Sequence, residues 1–151
     1  MNLQEELKAL KERIAELEEQ VKEEQEFPQD GDGYWYIDDY GYILNEKWDG
    51  PDFEEFRLEI GNVFKTKEQA EFAVEKLKVE AELRKFSRPF EYGENCTEFY
   101  YDHEFGGIMF CTLTASQTQG AIYFESKKVA QQAIKSVGEE RIKKYIFGVE
   151  D

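Results

Sequence analysis

The chain has 151 residues, 40% hydrophobic and 15% aromatic, which suits one aromatic-rich core plus an appendage and excludes a disordered acidic tail. Its net charge of −15, from 34 acidic and 19 basic residues, argues against direct binding to a phosphate backbone. Met1 leads straight into charged residues without an apolar signal segment, and no apolar run reaches membrane-spanning length, so the expected setting is the reducing cytoplasm with Cys96 and Cys111 as free thiols.

Residues 1–26 form the first element. Leu3, Leu7, Leu10, Ile14, Leu17 and Val21 are spaced 4, 3, 4, 3, 4, the seam of a coiled coil. Leu7, Ile14 and Val21 occupy a positions; Leu3, Leu10 and Leu17 occupy d positions. β-branched residues at a and Leu at d favour a parallel two-stranded coil, and hence a homodimer. In that arrangement each g residue faces the e residue five places on in the partner. Glu6 then meets Lys11, Arg13 meets Glu18 and Gln20 meets Gln25; no pair repels. Phe27-Pro28 should end the helix, because the residue before proline resists helical dihedrals.

After a linker at 27–33, the expected layout is one unit over 34–91 and a second, with a C-terminal helix, over 92–151. YWYIDDYGYIL (34–44) aligns with FYYDHEFGGIM (99–109), and VFKTKEQAEFAVEKL (63–77) with YFESKKVAQQAIKSV (123–137). Tyr34 to Ile37 and Tyr42 to Leu44 read as strands, with Gly41 supplying a left-handed turn residue. His103-Glu104-Phe105-Gly106 reads as the matching turn. Val63-Phe64 and Ile122 to Phe124 read as short third strands. Thr66 and Ser126 read as helix N-caps. A helix from Lys67 to about Phe86 should bury Ala70, Val74, Leu77 and Ala81; another should run from Lys127 to Gly138, and a last one over Arg141 to Phe147. The expected fold is therefore α+β: an N-terminal coiled-coil helix, then two tandem strand-strand-strand-helix repeats forming antiparallel sheet with helices packed on it.

The acid is concentrated. Residues 27–60 carry 10 acidic and 2 basic residues, net −8. The candidate partner-binding set is Asp30, Asp32, Asp38, Asp39, Asp49, Asp52, Glu54, Glu55, Trp48 and Phe53, with Phe56 and Glu59 nearby. Such a surface suits a basic cleft, although some of these aromatics must be core. DGDG does not open an EF-hand: Trp35 stands where the loop needs Gly and Gly41 where it needs Glu. A weaker, irregular calcium site stays open. Two cysteines and His103 cannot supply a usual structural zinc site without carboxylates, so no metal and no cofactor is expected. No phosphate loop or nucleophile pattern points to an enzyme, and His103 reads as a solvated turn residue.

The heptad leader, EFPQDGDGYWYIDDYG, GNVFKTKEQAEFAVEKLKVEAELRKF and YFESKKVAQQAIKSVGEERIKKYIFGVED together resemble small accessory proteins of phages and prophages of low-GC Gram-positive bacteria. The resemblance covers nearly the whole chain and implies a context, a phage protein acting in the bacterial cytoplasm, with no catalytic residues to transfer. Three readings follow. One is a non-enzymatic inhibitor of an anti-phage defence system, anti-CRISPR-like, occluding a basic nucleic-acid groove in a host defence protein without itself binding nucleic acid or membrane. The second is a phage scaffold protein paired by its coil. The third is a sponge for a nucleotide signal, held by Lys65, Lys67, Lys76, Lys78, Arg84, Lys85 and Arg88.

Overall fold

A computed structural model describes residues 2–24 and 26–150, and it is α+β. In chain order the elements are α1 (Leu3–Glu24), β1 (Gly33–Ile37), β2 (Ile43–Lys47), α2 (Asp52–Glu59), α3 (Lys67–Arg84), β3 (Cys96–Asp102), β4 (Gly107–Leu113), α4 (Lys127–Val137) and α5 (Glu139–Tyr145). The chain divides into two compact units: residues up to 38 with 42–67, and residues from 68 onward with 39–41. α3 thus groups with the second hairpin.

α1, Leu3–Glu24, lies within the expected 1–26. Every side chain from Leu3 to Lys22 is exposed, including the whole a/d seam. Gln25, half of one expected charge-neutral pair, lies outside the described residues.

In the first unit, β1 and β2 pair antiparallel with Tyr36 opposite Leu44. Gly41, at φ +83°, allows the turn, and the Asp38 carboxylate accepts the Tyr42 N–H at 2.8 Å. The expected third strand shrinks to two contacts. Trp35 and Phe64 exchange backbone hydrogen bonds at 2.9 Å. The Asn62 side chain then imitates a strand, accepting from the Ile37 N–H at 2.8 Å and donating to its carbonyl at 2.7 Å. Alternation along β1 drives Tyr34 and Tyr36 inward, where with Trp48 they form the core, edged by Phe27 and Val63. DGDG is part of a turn: the Asp32 carboxylate accepts the Gln29 N–H, and Gly31 and Asp32 bond to the backbone of Trp48.

In the second unit, β3 and β4 make a longer antiparallel hairpin with Phe99 opposite Phe110. Here too the third strand is reduced, to a Thr97–Phe124 bridge and an Arg88–Tyr123 bridge. The two hairpins remain separate two-stranded sheets. α4 starts at Ser126, whose hydroxyl accepts the Val129 N–H at 3.2 Å, and stops at Gly138. It packs on β3 and α5, burying Ala130, Ala133 and Val137 with Phe124, Ile142, Val79 and Leu83. α3 departs from its expected face. Ala70 and Val74 are buried, but Leu77 and Ala81 are exposed and Val79 and Leu83 take their place. The second unit's core selects the side of the last turns that carries the bulkier branched side chains.

Candidate interaction surface

α2 was not foreseen in the acidic stretch. Local chemistry accounts for it. Pro51 stands at its N-cap, Asp52, Glu54 and Glu55 complement the positive end of the helix dipole, and Gly61 at φ +76° follows its end.

The helix is inside out. Its buried residue is Glu54, 1% exposed, and Arg57 is half-buried beside it. Phe53, Phe56 and Ile60 sit at i, i+3 and i+7 and face solvent, 52%, 63% and 79% exposed. Asp52, Glu55 and Glu59 flank them, also exposed. The apolar stripe therefore points away from the core.

A polar network holds the helix in that orientation. The Glu54 carboxylate accepts the Tyr34 hydroxyl on one oxygen and the N–H groups of Asp49, at 2.8 Å, and Gly50, at 3.0 Å, on the other. Arg57 Nη1 donates to the Tyr34 hydroxyl at 2.8 Å and to Glu46 at 3.2 Å. The guanidinium lies 3.6 Å from the centre of the Tyr36 ring, and the Tyr36 hydroxyl donates to Glu46 at 3.1 Å. Each buried charge thus has an opposite charge or several donors, the condition for tolerating burial. Burial alone would raise the Glu54 carboxyl, but the donors Tyr34, Asp49 and Gly50, with Arg57, outweigh it and hold it below the usual range. Burial, reinforced by the bond to Glu54, pushes the Tyr34 hydroxyl well above its ordinary value. Burial and Glu46 raise Tyr36 as well.

Two of the sequence-derived contact residues cannot touch a partner. Trp48 is in the core, edge-on to Tyr34 at 5.7 Å, and Glu54 is the buried anchor. Tyr34 draws both inward, Trp48 against its ring and Glu54 through its hydroxyl, the Glu54 carboxylate being held as well by the Asp49 and Gly50 N–H groups. Asp30, Asp39, Asp49, Asp52, Glu55 and Phe53 are exposed. Asp32 and Asp38 are half-buried and occupied in turns. Ile60, at the C-cap of α2, belongs to this face although the sequence-derived set lacks it; its i+7 spacing from Phe53 is the available signal.

The other candidate chemistry finds less support. Among the described residues no group of three or more His, Cys, Asp or Glu is placed to hold a metal ion. His103 is exposed at its turn, against the Tyr101 ring. A cleft of about 300 Å³ in the second unit is walled by Phe99, Phe147, Ile122, Glu80, Glu98 and Arg84. Arg84 is bonded to Glu80 at 3.3 Å there, so an anionic nucleotide would meet two carboxylates and one paired cation. Lys78 and Arg88 are likewise paired, with Glu75 and Glu94. No described helix is long and apolar enough to cross a membrane. Compared with protein-family models, curated proteins and solved structures, the chain matches none.

Proposed function

We propose that the protein is a non-enzymatic binding protein, an inhibitor carried by a phage against a bacterial anti-phage defence. It would act in the bacterial cytoplasm by laying the outer face of α2 into a basic nucleic-acid groove of a defence effector. The observation that carries this reading is the inverted helix: Phe53, Phe56 and Ile60 exposed in a row, between Asp52, Glu55 and Glu59. Aromatic anchors supply binding energy when buried at an interface, and the acid around them selects a basic partner and speeds encounter. The phage context rests on the sequence resemblance.

The test is competition. Purified guide-dependent nucleases are mixed with the protein at low salt, and release of guide or target nucleic acid is measured. Inhibition that weakens with salt and is lost in Phe53→Ala/Phe56→Ala supports the reading. No displacement from any effector at low salt removes it.

The two hairpin-helix segments are also read as a duplication. In support, each hairpin tip has a positive-φ glycine at the aligned position, Gly41 or Gly106; the Asp whose carboxylate closes each turn, Asp38 or Asp102, is displaced by one place in the alignment. Each hairpin also bridges to a residue two places before the next helix's expected cap, Phe64 or Phe124. Copying was not strict: Trp35 aligns with Tyr100 in sequence, yet Thr97 makes the corresponding bridge.

A further inference from the structure

We infer that α1 is an interface for a second copy of this chain, and that the two copies lie parallel and in register. The starting observation is exposure. Leu3, Leu7, Leu10, Ile14, Leu17 and Val21 are 43% to 83% exposed, and no side chain from Leu3 to Lys22 is covered by the rest of the chain. A helix that packs on its own domain buries one face. This one carries six large apolar side chains in one stripe and buries none. The stripe is confined to the a and d positions, the narrow seam that one like helix covers through knobs-into-holes packing.

The charges beside the seam identify the occupant and its direction. In a parallel, in-register pair, Glu6 faces Lys11 of the second copy and Arg13 faces its Glu18, and two-fold symmetry makes each attraction twice. An antiparallel pair with the same overlap sets Leu10 against Ile14 and brings g residues together. Arg13 would then face Arg13 of the second copy across the two-fold axis, and Glu6 would meet only Gln20. One direction gives four attractions; the other loses them and adds two repulsions near the centre of the seam, Arg13 on Arg13 and Lys11 on Lys11. A different partner would need a matching seam with the opposite e and g charges, whereas a second copy supplies both. The expected state is two strands, because Ile14 and Val21 at a with Leu at every d favours that number.

The test uses the full chain. Sedimentation equilibrium over a dilution series should give twice the chain mass at the concentrated end. Leu10→Asp/Leu17→Asp should give the single-chain mass throughout, with the cooperative melt of the hairpin-containing units retained, since those side chains support neither core. Direction is read from disulfides under mild oxidation. Leu10→Cys, made in a Cys111→Ser chain, should form a covalent dimer with itself far faster than the Cys111→Ser chain alone, whose remaining thiol, Cys96, is buried. A single-chain mass at every concentration up to the solubility limit overturns the inference. So does a trimer, and so does a disulfide that forms only between Leu10→Cys and Ile14→Cys chains, which is the antiparallel pairing.

Discussion

α2 and α4 are two short helices that solve the same problem in opposite ways. α4 buries Ala130, Ala133 and Val137 and sends Lys127, Lys128 and Lys135 outward or to the edge. Its attachment is apolar burial, about 25 cal/mol per Å² and insensitive to direction. α2 buries Glu54, half-buries Arg57 and sends Phe53 and Phe56 outward, with Ile60 exposed at its C-cap. Its attachment is a set of directed bonds, donated to Glu54 by Tyr34, Asp49 and Gly50 and by Arg57 to Glu46. The lesson is that an apolar stripe reports a buried face only when no polar network competes for the inside. A polar anchor frees the apolar face for something else.

Substitutions can break this contrast from either side. The largest expected effect is in the apolar core of the second unit: Phe124→Ala, fully buried and stacked on Phe99, should cost about 4 kcal/mol, measured by urea unfolding. Next is the polar anchor. Glu54→Ala removes the buried carboxylate, takes the nearer acceptor from the Tyr34 hydroxyl and leaves the Asp49 and Gly50 N–H groups without theirs, and should cost about 3 kcal/mol by the same assay. Glu54→Leu, which adds apolar volume without acceptors, should not rescue it; full rescue would mean that the network is not what holds α2.

The network also has a pH signature. The folded Glu54 carboxyl lies below its ordinary value of 4.5, so it contributes stability above that value. The contribution fades as pH falls below 4.5 toward the folded value, where the folded state must also take up the proton. Natural protein should therefore lose more stability than Glu54→Gln between neutral and strongly acid pH, followed by circular dichroism. Equal losses would break the assignment.

Smaller again is the cap of α4. Ser126→Ala should cost about 1 kcal/mol, because the Val129 N–H loses its acceptor. The smallest stability effect belongs to the exposed stripe. Phe56→Ser/Ile60→Ser should stay within about 0.5 kcal/mol per site of the natural chain while removing partner binding in the competition assay. A large destabilisation would place these side chains in a core and end the docking argument.

Much of this molecule was readable in one dimension. The helices after Lys67 and Lys127, the Ser126 cap, the stop at Gly138, both hairpins and the span of α1 follow from short-range rules of periodicity, capping and turn chemistry, which act between residues a few places apart. What those rules could not reach is which way α2 faces. DFEEFRLE has aromatic and charged residues at helical spacing, and either set could go inside. The choice depends on Tyr34, 20 residues earlier, and on two backbone N–H groups at a bend, all brought together only by the fold. The same holds for Trp48 and for the last turns of α3, where the core's shape picks Val79 and Leu83 over Leu77. Composition and local pattern determined the elements and the acidity. Long-range geometry decided which apolar side chains stayed exposed, because burial is a property of neighbours in space and a sequence orders neighbours along the chain.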